Sequence, residues 1–140
     1  MPRFHTKNQV DEEHLVQKLV QELSSRQELL FVYLHGSFVE EGAFRDMDLA
    51  VYLRQDLVLP RRYREYESEL AVGLSLKARI PIDVRVLNDA PVAFRYHVLN
   101  GRLLVSRDGD FLDEFRARTW DEYCDFAPFA RRYLREVLRG

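Results

Sequence analysis

The sequence is poor in cysteine and has no long hydrophobic run, and each shortage excludes a class of protein. The one cysteine among 140 residues, Cys124, excludes an intrachain disulfide and fits a reducing compartment. The chain also lacks internal repeats and low-complexity tracts. No apolar run approaches the ~20 residues that a membrane span needs, and the N-terminus lacks a signal-peptide pattern. We therefore expect a cytoplasmic protein without a membrane segment.

An excess of charge of either sign is missing as well. The 21 Lys and Arg residues nearly balance the 23 Asp and Glu residues, so the net charge of −2 gives no strong nucleic-acid signal. A local basic group, Arg61, Arg62 and Arg64, is interpreted as a solvated helix face. The four histidines show no metal-ligand spacing. Cys124 is expected to be a buried or half-buried structural thiol rather than a nucleophile.

The hydrophobic pattern predicts an α/β (α+β) fold, in which a small mixed β-sheet of about four strands is flanked by helices. The predicted strands cover residues 29–35, 46–53, 82–87 and 102–106, and the predicted helices cover 11–24, 60–79, 91–100 and 109–139. Pro128 should break or kink the last helix, and Asn88 and Asp89 should cap the third. We expect a single domain over residues 1–140, with a core at about 9–107 and a C-terminal helical segment at about 109–139.

Two apolar runs joined by a short polar connection form the most informative pattern. The first run ends in Gly36 and Ser37, a turn whose free backbone N–H groups suit a phosphate. The second run opens with Asp46 and Asp48, which should stand side by side because residues i and i+2 of a strand share a face. Adjacent carboxylates repel each other and raise each other's pKa unless a cation lies between them. A hard divalent ion, above all Mg²⁺, is the natural occupant.

A third carboxylate, Asp83, lies near the start of the next short apolar run, residues 80–87. All three acidic residues therefore lie at the starts of apolar strands, where an uncompensated charge is costly. Arg85 shares the strand face of Asp83 and is expected to pair with the carboxylates, with a phosphate contact as the alternative. His35 is expected to be a packed residue at a strand end rather than a ligand.

The order of these features resembles the nucleotidyltransferase superfamily of DNA polymerase beta. In that superfamily a Gly-Ser turn grips the triphosphate, a D-x-D pair holds metal, and a neighbouring strand carries a third carboxylate. The resemblance implies that Gly36 and Ser37 bind the nucleotide. It also implies that Asp46, Asp48 and Asp83 are catalytic residues and metal ligands, with two Mg²⁺ ions as cofactors and ATP as substrate. Asp48 would bridge the ions, and Asp83 would help to deprotonate the incoming hydroxyl.

Small size and further residues narrow the resemblance to the minimal nucleotidyltransferases, the MNT antitoxins of HEPN/MNT toxin–antitoxin systems. The matching segments, beyond the two motifs, are 83–91, 94–96, 98–99, 101–104 and 123–126. The resemblance implies an antitoxin that uses ATP and Mg²⁺ to place AMP on a tyrosine of a HEPN ribonuclease toxin. It leaves a homo-oligomer open. The connection from Gly-Ser to D-x-D has eight residues where the family commonly has ten, and Arg45 is a candidate for a phosphate contact there.

Two other functions stay open at this point. One is a non-catalytic antitoxin, a binding module that neutralises its partner by forming a complex. The other is a nucleotidyltransferase for a small hydroxylated molecule or an RNA end. An exposed apolar surface on the C-terminal helices would suit a protein partner, yet most of the large aromatic side chains there are expected to be core: Trp120, Tyr123, Phe126 and Phe129.

Overall fold

Strands and helices follow one another along the chain largely as the hydrophobic pattern predicts. The computed structural model describes residues 2–36 and 46–139, and their side chains apart from 2–11, 130, 133–134 and 137–139. The elements are α1 (Pro2–Ser24), β1 (Leu29–His35), β2 (Met47–Leu53), α2 (Tyr63–Ala78), β3 (Ile82–Val86), α3 (Val92–Leu99), β4 (Arg102–Ser106) and α4 (Gly109–Arg139). A 3₁₀ turn at Pro60–Arg62 leads into α2. Helix α1 begins nine residues before the predicted start, while the other ends agree within a few residues.

The four strands form one mixed sheet in the order β3-β2-β1-β4. Strand β1 is antiparallel to both of its neighbours, whereas β2 and β3 run parallel. Six of the seven β1 residues are buried, which confirms its predicted place as a central strand covered on both faces. The prediction of a small mixed sheet flanked by helices is therefore confirmed.

Each face of the sheet packs against a different pair of helices. One apolar cluster joins one sheet face to α1 and α2, through residues such as Leu19, Leu23 and Leu74. A second cluster joins the other face to α3 and α4, with Val98 and Phe115 against the strands. Fully burying a large apolar side chain contributes roughly 1.5–3 kcal/mol, so the two layers together hold the strands, and any side chains at their ends, in fixed positions.

Helix α4 differs from its prediction in two ways. It continues through Pro128, so the break that a proline can cause is absent. Its second half also leaves the core. Trp120 is 54% exposed and Phe129 68%, and Cys124 is exposed rather than buried. A helix of 31 residues is about 46 Å long, whereas α3, which covers it, has only eight residues.

The predicted cap of α3 is wrong. Pro91 precedes the helix and no side chain hydrogen-bonds to the helix start. The Asn88 side chain instead accepts from the N–H of Leu53 (2.8 Å) and donates to its carbonyl oxygen (2.9 Å). Asp89 pairs with Arg64 at 2.8 Å. Both side chains are therefore used by neighbouring elements. Within residues 2–36 and 46–139, no helix has the length and apolar character of a membrane span.

Candidate active site

One row of residues crosses three strands at the end of the sheet where β1 finishes and β2 and β3 begin. His35 is directly opposite Asp48 in the antiparallel pair, and Asp48 is directly opposite Asp83 in the parallel pair. Residues opposite each other on neighbouring strands project from the same face of a sheet. The strand pairing therefore brings Asp48 and Asp83, which are 35 residues apart in the chain, side by side.

The three predicted carboxylates share one cavity at this end of the sheet. Asp46, Asp48 and Asp83 all line a space of about 240 Å³, together with Met47, Ser75, Pro81 and Ile82. Asp46 immediately precedes β2 and is exposed, as is Asp83, whereas Asp48 is half-buried. Two of the three carboxylates are therefore open to solvent, and the third lies in the same cavity.

The electrostatics of this cavity favour a cation. Burial raises the pKa of Asp48, and the nearby charges of Asp83 and Asp46 raise it further. Among the described residues, no three His, Cys, Asp or Glu side chains lie close enough together to form a metal-binding group, and this includes the three carboxylates of the cavity. The shared cavity, and the effect of the Asp83 and Asp46 charges on the pKa of Asp48, show that the carboxylates are neighbours. Hard oxygen donors that repel one another fit a hard divalent cation such as Mg²⁺.

Gly36 allows the turn after β1 to approach Asp48. Its φ of +89° is in the region that side-chain-bearing residues rarely adopt. A Cβ added at Gly36 would collide with the Asp48 carboxylate and lie 3.3 Å from its Cγ. Two features therefore require glycine here: the positive φ of the backbone and the closeness of the Asp48 carboxylate. Two other residues considered from the sequence, Ser37 and Arg45, lie outside the described residues.

His35 is the neutral member of the cross-strand row. Its ring is 8% exposed and meets Phe94 (5.4 Å between centroids) and His97 (5.8 Å) edge-to-face. Burial is the largest cause that lowers the pKa of His35, to about 4, followed by His97; the Asp83 charge opposes the shift and Arg85 adds to it. The Nε2 atom is buried and has no hydrogen-bond partner within the part of the chain that the structure describes. The prediction of a packed strand-end residue is confirmed.

Arg85 does not make the ion pair that its position predicts. Among the described residues, no carboxylate lies within ion-pair distance of its guanidinium. The guanidinium carbon instead lies 5.0 Å from the centroid of the Phe94 ring. The residue opposite Arg85 on β2 is Ala50, which offers no charge. The sequence analysis did not single out Phe94, because only the packing of α3 on the sheet brings it here.

The basic group at the start of α2 is a solvated helix face, as predicted. Arg62 pairs with Glu65 at 3.3 Å and Arg64 pairs with Asp89 at 2.8 Å, and all four side chains are more than half exposed. Arg61 is exposed beside them. Helix α2 packs on the sheet face opposite the one that carries Asp48 and Asp83. These arginines therefore take no part in the candidate site.

The fold as a whole is similar to solved structures of toxin–antitoxin complexes. A chain of the MntA-HepT toxin–antitoxin matches with a TM-score of 0.70 and 20% identity, over 90% of this chain and 98% of that one. A chain of the tri-AMPylated Shewanella oneidensis HEPN toxin in complex with MNT antitoxin gives 0.67 and 20%, over 94% and 98%. A chain of a toxin–antitoxin with AMP-PNP gives 0.69 and 22%, over 90% and 98%. These matches establish a shared fold.

The sequence defines the family. Residues 17–110, which are 94 of the 140 residues, match the model of the family described as Polymerase beta, Nucleotidyltransferase. The chain belongs to the polymerase beta nucleotidyltransferase family, and the enzyme class predicted from its sequence is confirmed. The matched range contains all four strands and the three carboxylates, and it ends at the start of α4. No curated protein matches the chain in sequence.

Proposed function

We propose that this protein is an antitoxin that transfers AMP from ATP to a tyrosine hydroxyl of a partner HEPN ribonuclease toxin. The observation that carries the proposal is the placement of Asp48 and Asp83 opposite each other on parallel strands, in one cavity with Asp46. Membership of a nucleotidyltransferase family supports the reaction type. A structural neighbour is a complex with a tri-AMPylated HEPN toxin, and another holds AMP-PNP, which supports the partner and the nucleotide.

Asp46, Asp48 and Asp83 are the residues that would hold two Mg²⁺ ions. When bound, Mg²⁺ would neutralise the charge of the phosphates and lower the pKa of the acceptor hydroxyl. The chain's own contribution is to place hard oxygen donors on two rigid strands, Asp48 between the other two carboxylates. Burial, and then the charges of Asp83 and Asp46, raise the pKa of Asp48, and a bound cation would compensate the charge that they disfavour.

In the proposed reaction the acceptor oxygen forms a bond to the α-phosphorus of ATP. The bond from that phosphorus to the bridging oxygen of the β-phosphate breaks, and pyrophosphate leaves. The acceptor proton moves to the Asp83 carboxylate. A free phenol has a pKa of about 10, so a carboxylate at this position is needed when the new bond forms. Gly36 and Ser37 would hold the β- and γ-phosphates through backbone N–H groups, with the Ser37 hydroxyl as a further donor.

We further propose that residues 1–140 act as one domain and that the reaction takes place in the cytoplasm. The matched family range and the single sheet support one catalytic domain over about residues 9–107. Helix α4 then forms the C-terminal segment at about 109–139, whose exposed aromatic side chains are available to a protein partner.

The test is to incubate the purified chain with the HEPN-domain protein proposed as its partner, ATP and Mg²⁺. Intact-mass spectrometry should show that the partner gains the mass of one or more AMP groups, and peptide mapping should place them on tyrosine. Asp48→Asn and Asp83→Asn should each lower the rate by about a thousandfold, because each removes charge stabilisation of the transferring phosphate. Glu69→Gln, an exposed change on α2, should leave the rate unchanged.

The other two functions give different outcomes. If Asp48→Asn still neutralised the toxin at equal expression and the partner never gained mass, the protein would be a non-catalytic antitoxin. If AMP went to a small hydroxylated molecule or an RNA end without any partner protein, the protein would be a different nucleotidyltransferase. Either result would replace the proposed function.

A further inference from the structure

The acceptor side of the site can be located from the order of the strands. Gly36 ends β1, Asp48 is on β2, and Asp83 is on β3, the edge strand. If the phosphates lie at the Gly36 turn, the substrate that receives AMP must approach from the opposite side, along β3. The residue on β3 that shares the face of Asp83 is Arg85, two positions further along.

Arg85 is held in one place by an aromatic ring rather than by a carboxylate. Its guanidinium lies over Phe94 at 5.0 Å, while its side chain is exposed to solvent. Phe94 in turn meets the buried ring of His35 edge-to-face at 5.4 Å and 88°. A guanidinium stacked on a ring keeps its N–H groups free in the plane, where they match the two oxygens of a carboxylate.

We propose that Arg85, positioned by Phe94, is an acceptor-binding residue that pairs with an acidic side chain next to the modified hydroxyl of the partner protein. The inference rests on the proposed function and adds to it the recognition of the acceptor. Ala50, directly opposite Arg85, is buried and carries no charge, so β2 offers the guanidinium no partner at this position. Arg85 binds the acceptor, whereas Phe94 acts only through Arg85 and is a positioning residue.

The experiment measures acceptor and nucleotide binding separately. With the HEPN-domain protein as acceptor, Arg85→Ala should raise KM for that protein 10- to 100-fold, with kcat changed less than threefold. Arg85→Lys should raise KM about fivefold or more, because lysine keeps the charge but loses the planar fork. Phe94→Leu should raise KM by a smaller factor, and Arg61→Ala, on the solvated face of the first turn before α2, should change nothing.

Calorimetry with AMP-PNP tests which anion Arg85 binds, the carboxylate of the acceptor or the phosphates of the nucleotide. The affinity of Arg85→Ala for AMP-PNP should remain within twofold of wild type. If it falls as far as the affinity for the acceptor, the anion is a phosphate and the inference is overturned. An unchanged KM for the acceptor would also overturn it.

The proposed function and this inference fail separately. If wild-type protein transfers no AMP, the proposed function fails, but calorimetry of the unreacted complex still tests Arg85. Its replacement by alanine should then weaken binding of the partner at least tenfold, and should weaken it most at low salt. Equal binding by wild type and Arg85→Ala would overturn the inference even if AMP transfer were intact.

Discussion

The two ends of the sheet use polar groups in opposite ways. At the end where β1 begins and β2 finishes, the guanidinium of Arg107 donates to the carbonyl oxygens of Leu29 (2.7 Å) and Arg26 (2.8 Å). Asn88 bonds both backbone groups of Leu53 there. At the other end, burial and two carboxylates disfavour the charge on Asp48, and the Nε2 atom of His35 has no partner among residues 2–36 and 46–139. The backbone groups named at the first end are thus paired within the protein, whereas the polar side chains named at the second end are not paired with any described residue.

The free edge of β3 follows the first of these patterns. The N–H of Ile82 donates to the Ser75 hydroxyl at 2.9 Å, and the N–H of Val86 donates to the Glu67 carboxylate at 2.8 Å. Both acceptors come from α2. An edge strand closed in this way is a poor template for pairing with another strand. A partner that approaches β3 therefore meets side chains such as Arg85 rather than an open backbone.

The largest effect on stability should come from adding a methyl group at the open end. Gly36→Ala places a Cβ against the Asp48 carboxylate and forces alanine to a φ of +89°. We expect AMP transfer to fall about a hundredfold and the free energy of unfolding to fall by about 2–3 kcal/mol, a cost typical of a strained backbone position. Transfer kinetics and urea denaturation measure the two effects.

Gly73→Ala is the matched control. Gly73 lies inside α2, and a Cβ there would meet nothing within 4 Å. The change should leave transfer unchanged and increase the free energy of unfolding by about 0.5–1 kcal/mol, since alanine favours a helix over glycine. If both glycine variants behaved alike, the close approach of Gly36 to Asp48 would have no functional role.

A smaller effect should follow from breaking the satisfied end. Arg107→Met keeps much of the side-chain volume but leaves the carbonyl oxygens of Leu29 and Arg26 without their donor. We expect the free energy of unfolding to fall by about 2 kcal/mol, measured by urea denaturation, with kcat and KM unchanged. Arg54→Met removes only an exposed pair with Asp56 and should leave the free energy of unfolding nearly unchanged. A loss of transfer in a folded Arg107→Met would contradict the separation of the two ends.

The smallest predicted effect is a gain in the free energy of unfolding rather than a loss. Because the pKa of Asp48 is raised above its ordinary value of 3.8, its charge destabilises the folded protein. The stability that protonation adds is complete below about pH 3.8 and is lost as the pH rises through the higher folded-state pKa. In a metal chelator at pH 7, Asp48→Asn should therefore stabilise the fold by up to about 1 kcal/mol, whereas Asp121→Asn should not.

Mg²⁺ should reverse the order of stability of wild type and Asp48→Asn. Added Mg²⁺ should raise the unfolding temperature of wild type more than that of Asp48→Asn, because ligand binding stabilises only the state that binds. A differential scan with and without the ion measures both effects. A stabilising effect of Mg²⁺ that was equal in both proteins would remove Asp48 from the proposed metal site.

Much of the fold could be predicted because its signals are local. The run 29–35 is apolar enough to predict a central strand, and the alternation of strands and helices predicts a mixed sheet with helices on both faces. The approach of Asp48 to Asp83 could also be inferred, since each lies second in its strand and the two strands turned out to be parallel neighbours. The metal-ligand and nucleotide-binding roles of these residues stay predictions.

The errors lie where a long-range contact competes with a local signal. Asn88 and Asp89 have the composition of a helix cap, but Leu53 and Arg64 offer them partners that are far away in sequence. Trp120 and Phe129 have the spacing of a core face, but α4 extends past the elements that could cover them. Arg85 lies two residues from a carboxylate, yet the Phe94 ring of α3 is the nearer partner.

The order of residues along the chain was enough to determine the family, the strands and the three acidic positions, because strand periodicity and turn chemistry act over a few residues. Tertiary structure alone decided which polar groups are paired within the protein and which stay open. Much of the pairing depends on contacts between residues far apart in the chain, as between Arg107 and Leu29, 78 positions apart, or Arg95 and Thr119, 24 positions apart. No local pattern carries that information, since the same arginine can cap a carbonyl, stack on a ring or face solvent.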